Sequence, residues 1–417
     1  MAEHTIHKKI KNNAYEHIFI LSTLVVYISL SFVKMRSYLT DGRFWAEEAS
    51  GYYTGIQGLS FFEGLSFIFH GHLSLATNLV VSLSTLFDFK YAPLVTTYGS
   101  FLLQSIPVIV LLFYRESFGL KQWGAIGFVL ILVGLPQSAE VWANSTNLHF
   151  HFSFLAAIIA IMEIGTNYPK TLFRIMLALS GLSGIPANFL APVFLALAIT
   201  TQQKERWVQF YIIASTTIVQ LILLLFNSED MGNRGFPLNP VLYWLSITSQ
   251  QVISPLLGFE IGNRITEIFR GVLDKNINSL ILSLICSVPI FYFLRNTSSS
   301  PSRPLKVLAI SAFSLSVLSI AFSLDGTVAL ISAAGGGRYF FASNALIALY
   351  LLNVAGSSKN YLLRFFVIIL IVSSVIRVPH YLGGPGWGLE YLNAVINKTE
   401  HVNIWPNGWK IKNFSLM

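Results

Sequence analysis

What most constrains this chain is a succession of apolar segments, most of them about as long as a bilayer is thick, joined by short loops that hold the basic residues. A helix needs about 20 mostly apolar residues to cross the ~30 Å hydrocarbon core. Such segments are read at His17–Met35, Pro93–Tyr114, Trp123–Pro136, His149–Glu163, Trp207–Phe226, Ile277–Leu294, Lys306–Leu324, Arg338–Ala355 and Tyr361–Val378. Only 11% of the residues are charged, against about 25% in soluble domains. The expectation is an all-α polytopic membrane protein with about nine spans.

The basic residues set the orientation. Residues 1–16 contain His7, Lys8, Lys9 and Lys11 and are placed in the cytoplasm by the positive-inside rule. No small-residue cleavage site follows, so the first span is expected to stay as a signal anchor. Every short loop assigned to the inside carries Lys or Arg. The short outer loops Gln137–Leu148 and Asp325–Gly337 carry none. The net charge of +8 is accounted for by these inner loops, so nucleic acid is not an expected partner. A single cysteine, Cys286, excludes an internal disulfide.

This topology makes residues 17–378 one transmembrane domain. Two long loops, 36–91 and 227–276, and a Trp-rich tail, 379–417, lie outside. Within the first loop, Leu73–Phe87 is too short and too rich in Ser and Thr for a span, and is read as a helix on the outer surface. Residues 172–200 are apolar, basic at both ends and interrupted by Gly181, Gly184 and Pro186. They are read as a broken re-entrant hairpin, which must be buried in protein or line a cavity.

The candidate functional residues gather on the outer side. Leu39–Tyr53, LTDGRFWAEEASGYY, brings Asp41, Glu47 and Glu48 together with Arg43, Phe44, Trp45, Tyr52 and Tyr53. On a helix starting near Gly42, Trp45, Glu48 and Tyr52 would share a face. A carboxylate among aromatic rings suits a site that holds a sugar and takes a proton from its hydroxyl; the alternative is an interfacial helix. Asp41 is also placed to cap that helix. In AAGGGRYFF, Gly335, Gly336 and Gly337 open a helix with Arg338 in its first turn, a combination suited to phosphate or to a headgroup anchor.

His70 and His72 lack a third ligand placed by sequence, so substrate contact is preferred and no metal site is assigned. Glu140, His149, Asp325, Arg377, His380 and Trp387 lie on the same side. Trp405 and Trp409 could stack on sugar rings or belt the interface. Arg234, Arg264 and Arg270 read as headgroup contacts. No P-loop, GxSxG elbow or Rossmann fingerprint is present, so nucleotide-driven chemistry is unsupported.

FWAEE (Phe44–Glu48), the YAP opening the second span (Tyr91–Pro93) and GGGRYF (Gly335–Phe340), set in this architecture, resemble the GT-C integral-membrane glycosyltransferases. More narrowly the chain resembles the phage-type serotype-converting O-antigen glucosyltransferases of enteric bacteria. The resemblance implies a multi-pass protein of the bacterial inner membrane, N-terminus cytoplasmic and C-terminus periplasmic. Its donor would be undecaprenyl-phosphate glucose and its acceptor a hydroxyl of a lipid-linked O-antigen repeat. It implies no cofactor beyond that donor, and partners that make and flip it.

Transfer would invert the anomeric carbon. Glu48 or Glu47 would be the general base, with Asp41 as the other carboxylate. Arg338 and the glycine turn (Gly336, Gly337) would hold the leaving phosphate, with Arg43, His72 and Arg377 as further candidates; Trp45, His70, His72, Trp405 and Trp409 would contact substrate. The chain departs from the class pattern in that Asp41 stands alone just after the first span, the glutamates following six and seven residues later. Two other readings share this topology: an O-antigen polymerase or ligase, and a flippase or transporter of lipid-linked sugars.

Overall fold

A computed structural model describes residues 2–165, 168–227, 240–273, 302–323, 329–332, 336–357, 359–378 and 384–414, with isolated positions between 281 and 295. The chain is helical. The first helix, α1 (Ala2–Met35), leads into the acidic loop. After that loop come α2 (Leu75–Ser84), α3 (Ala92–Phe113), α4 (Gln122–Gly134) and α5 (Leu148–Ile161). Next are α6 (Lys170–Leu182), α7 (Ala191–Thr201) and α8 (Lys204–Phe226), followed by α9 (Pro240–Thr248) and α10 (Ser254–Leu273). The remaining helices are α11 (Arg303–Ala321), α12 (Phe341–Ser357), α13 (Tyr361–Arg377) and α14 (Trp387–Ile396).

Five stretches are long and apolar enough to cross a membrane: Ala14–Tyr38, Ala92–Phe113, Lys204–Phe226, Arg303–Ala321 and Gly337–Ser357. The pair α6 and α7 adds a sixth if counted as one broken span, bent by 117°. That bend falls at Ser183 to Pro186, among the residues whose composition marks the break. The span expected at Ile277–Leu294 lies mostly outside the described residues.

Two expected spans are shorter than a bilayer. The helices α4 and α5 have 13 and 14 residues, about 20 Å at 1.5 Å per residue. Other helices enclose α5 and most of α4, which leaves Trp123 and Ile126 exposed in its first turns. Every residue of α5 except His149 is buried, so it forms the axis of the bundle. By contrast α13, at 17 residues, presents Leu362, Phe365, Ile368, Val372 and Ile376 outward, as a lipid-facing helix does. Asn360 caps it, its side chain accepting from the Leu362 and Leu363 N–H groups.

The helix expected at Leu73–Phe87 is packed into the protein. Leu75–Ser84 buries Ala76, Thr77, Asn78, Val80, Val81, Ser82 and Ser84. Its polar side chains find partners inside: Thr77 Oγ1 donates to the Ser145 carbonyl at 2.8 Å, and Asn78 Nδ2 to the carbonyls of Leu65 and Phe67. Internal hydrogen bonds offset the cost of burying these groups. Its polar content therefore marks contacts inside the protein.

Two small antiparallel hairpins complete the fold. In the first, β1 (Ile68–Phe69) pairs with β2 (His72–Leu73), Phe69 facing His72. Its turn residues His70 and Gly71 both have positive φ, +52° and +74°, as a two-residue turn of matching twist needs. In the second, β3 (His401–Ile404) pairs with β4 (Trp409–Lys412). Val402, Ile404 and Ile411 point inward and join Phe44, Tyr52, Tyr53, Phe89 and Trp387 in one core. The tail and the acidic loop are thus two halves of one apolar cluster.

Candidate active site

The acidic loop leaves α1 through a tight turn at Gly42. Its φ of +67° favours glycine, and a Cβ there would stand 2.4 Å from the Pro93 and Leu94 backbone at the start of α3. The close approach buries the next residue, Arg43, to 1% exposure. Its guanidinium carbon lies 4.7 Å from the Tyr38 ring, 4.7 Å from Trp45 and 5.2 Å from Trp405, and Nη2 donates to the Trp142 carbonyl. Arg43 is therefore an anchor inside an aromatic box and does not reach a phosphate in the cavity described below.

After Ala46, at φ +27°, the two glutamates part company. A π-helical turn runs from Glu48 to Tyr53, where the sequence predicts an α-helix from Gly42. Glu48 is fully buried. Its Oε1 accepts from the Ser145 N–H and hydroxyl, each at 2.6 Å, and Oε2 accepts from the Trp45 N–H at 3.1 Å. Burial holds its carboxyl above the ordinary carboxylate range, opposed by those donors and by Arg43. Glu47 is half-buried, and its carboxylate has no hydrogen-bond or ion-pair partner among the described residues.

Glu47 lines a partly open cavity with His70, His72, His149, Arg338 and Tyr339. Tyr52, Asn147, Phe150 and Phe189 supply aromatic and amide surface, and Ile185 and Pro186, at the break between α6 and α7, close one wall. The break between α6 and α7 thus reaches the same cavity as the acidic loop and the β1–β2 hairpin. Arg338 forms an ion pair with Glu140, so the cavity's guanidinium already has a carboxylate beside it.

Each wall is fixed from outside the cavity. Gln220 in α8 is buried, and its amide pairs with the Leu73 backbone as a strand would: Oε1 accepts from the N–H at 3.0 Å and Nε2 donates to the carbonyl at 2.8 Å. Nε2 also reaches the Gly181 carbonyl at 3.2 Å. One side chain therefore ties the His70–His72 hairpin to α6. Gly336 has φ +63° and Gly337 opens the 3-10 turn Gly337–Phe340 that presents Arg338. Neither glycine lines the cavity; Gly337 packs on Gln137, whose Nε2 donates to the Gln250 carbonyl at 2.9 Å.

Of the residues read from sequence, the structure brings Glu47, His70, His72 and Arg338 to one cavity. Asp41 is exposed beside Gly388 and caps no helix. Arg377 donates to the Pro255 and Leu256 carbonyls, away from the cavity. Trp45 and Trp405 are buried around Arg43, and Trp409 is exposed on the tail hairpin. Arg264 is exposed, while Arg234, Gly335, Asp325 and His380 lie outside the described residues. Among the described residues no group of three or more His, Cys, Asp or Glu could hold a metal ion.

Sequence reading missed the Glu140–Arg338 pair and the role of Ser145. The signal for the second was present in NST (Asn144–Thr146), three small polar residues between two apolar helices.

No family model and no curated protein matches the chain. Among solved structures, the chain is similar to the crystal structure of ArnT from Cupriavidus metallidurans bound to undecaprenyl phosphate. The identity is 12% and the TM-score 0.40, over 86% of this chain and 70% of that one.

Proposed function

We propose that this chain is a membrane glycosyltransferase that moves a sugar from a polyprenyl-phosphate carrier to a hydroxyl of a lipid-linked saccharide, with Glu47 as general base. One observation carries the reading: a carboxylate without a protein partner among the described residues shares a cavity with an arginine and three histidines, beside membrane-capable helices. Glu48, fully buried, engaged by three donors and absent from the cavity lining, is the weaker candidate.

In this reaction the acceptor hydroxyl oxygen attacks the anomeric carbon from the face opposite the phosphate. Its proton passes to Glu47 while the anomeric carbon–oxygen bond to phosphate breaks, inverting the centre. Charge then develops on the leaving polyprenyl phosphate, where Arg338 is the cation available. Such a preplaced donor is worth about 10²–10³ in rate. His70 and His72 supply hydrogen bonds to sugar hydroxyls, and Tyr52, Phe150 and Tyr339 supply apolar faces for a ring. The finer reading, glucose from undecaprenyl phosphate to an O-antigen repeat at the periplasmic face, rests on the sequence resemblance.

The test is expression in an enteric strain with an unmodified O-antigen, supplied with donor-synthesis and flipping partners. The polysaccharide repeat is then read by mass spectrometry and NMR. One added hexose per repeat, lost in Glu47→Gln, is the expected result. An unchanged repeat with altered chain length would replace this reading with the polymerase. An added hexose that survives Glu47→Gln would remove Glu47 as the base.

A further inference from the structure

Within the apolar cluster that joins the C-terminal segment to the acidic loop, the backbone pairing is made by Trp405. Trp405 pairs in parallel with Trp45: its N–H donates to the Phe44 carbonyl at 3.1 Å, and its carbonyl accepts from the Ala46 N–H at 2.5 Å. Its ring forms one wall of the Arg43 box, 5.2 Å from the guanidinium carbon, and meets Tyr38 edge-on at 5.6 Å. The indole Nε1 donates to the Pro385 carbonyl, so the ring is held from its own segment too. At 5% exposure Trp405 is buried, and it does not line the cavity. It is therefore not a platform for a sugar there.

The next residue after this paired stretch is Glu47. The backbone from Phe44 to Ala46 takes its strand-like partner from the tail, and Ala46 stands at a positive φ that disfavours an unconstrained alanine. A contact some 360 residues away in sequence thereby sets where the chain turns before the carboxylate.

We propose that Trp405 is a positioning residue for Glu47, clamping residues 44–46 through its backbone and closing the Arg43 box with its ring. The inference rests on the reading of Glu47 as general base. The tail then serves the reaction by alignment, and a displacement of about 1 Å in such a group can cost on the order of 10²-fold in rate.

The test uses the full-length protein in detergent or nanodiscs, comparing wild type with Trp405→Ala, Trp405→Leu and Trp405→Phe. Hydrogen exchange of the 44–50 amides is read beside kcat and KM for sugar transfer. In Trp405→Ala the 44–50 amides should exchange faster and kcat should fall about ten- to a hundredfold, with both KM values within about twofold. Trp405→Phe, which keeps a ring on Arg43, should recover most of kcat. Trp405→Leu retains a large apolar side chain without an aromatic face, so it carries the same comparison if the alanine variant does not fold.

Unchanged exchange at 44–50 would overturn the clamp. Faster exchange with unchanged kcat would overturn the positioning role. An unchanged kcat with a raised acceptor KM would overturn it in favour of direct substrate contact. A wild-type chain that transfers no sugar would sink the proposed function instead, and the exchange comparison would still decide the clamp.

Discussion

Glu48 Oε1 lies 2.6 Å from both the backbone nitrogen and the hydroxyl of Ser145, 97 residues further along the chain. This buried carboxylate joins the acidic loop to the turn before α5, so it holds one wall of the cavity against another. Truncation would leave the Ser145 and Trp45 N–H groups buried without an acceptor, at about 1–3 kcal/mol for each such group. Glu48→Ala should therefore lower the thermal midpoint clearly. Glu47→Gln should leave that midpoint within a degree or two while abolishing most transfer. Differential scanning fluorimetry beside a transfer assay checks both, and equal midpoints for the two variants would contradict the division of roles.

The same burial gives Glu48 a pH signature. Its carboxyl titrates above the ordinary 4.5 in the folded protein, so the folded state holds the proton more tightly than the unfolded chain. Its contribution to stability is complete below the unfolded value and declines as pH rises through the folded one. Glu48→Gln cannot titrate. The difference in midpoint between wild type and Glu48→Gln should thus shift against the wild type as pH is raised from about 4.5. A difference that is flat with pH would mean that Glu48 is ionised in both states.

Arg338 is expected to carry the leaving phosphate, and its fork geometry matters as well as its charge. Arg338→Ala should lower kcat/KM for the donor by about 10²–10³. Arg338→Lys should fall between, because a lysine keeps the charge but loses bidentate contact. Steady-state kinetics with purified protein decides this. An alanine variant at wild-type kcat/KM would remove Arg338 from the donor site.

The legible parts of this molecule were those written as local composition. Apolar length placed α1, α3, α8, α11 and α12, and Gly181, Gly184 and Pro186 placed the break between α6 and α7. The acidic loop, His70, His72 and Arg338 stand out because charge is scarce in an apolar chain, and Glu47, His70, His72 and Arg338 line one cavity. What sequence could not separate was Glu47 from Glu48. Neighbours in sequence, they differ only because Ser145 and Trp45 engage one of them. Arg43 and Trp405 looked like ligand contacts for a similar reason: a cation and an aromatic ring satisfy each other as readily as a substrate. For Leu75–Ser84, the polar side chains were visible in the sequence, but not that the Ser145, Leu65 and Phe67 carbonyls would accept from Thr77 and Asn78.

Gln220 should behave as a structural residue with a functional consequence. Gln220→Leu keeps the volume but leaves the Leu73 N–H and carbonyl unpaired, at about 1–3 kcal/mol each. Gln220→Glu still accepts from the N–H but cannot donate to the Leu73 and Gly181 carbonyls. Both variants should raise hydrogen exchange across residues 68–73 and weaken transfer through loss of the His70 and His72 contacts. Unchanged exchange in that hairpin would show that the β1–β2 turn holds itself.

The last prediction concerns Gly184, where two constraints coincide. Its φ of +129° is one that L side chains rarely adopt, and a Cβ there would stand 2.8 Å from the His149 Cβ. Strained backbone of this kind costs of order 1–3 kcal/mol, and the contact can be relieved by moving the α6–α7 break or α5. Because α5 is enclosed on every side, the break should move, carrying Ile185 and Pro186 and reshaping the cavity wall. Gly184→Ala should therefore lower the thermal midpoint and raise KM for a lipid-linked substrate more than it lowers kcat. Gly165, with open space around it and no such φ, is the control: Gly165→Ala should be neutral or slightly stabilising. If Gly184→Ala matched that control in midpoint and KM, the break would not be a rigid wall of the site.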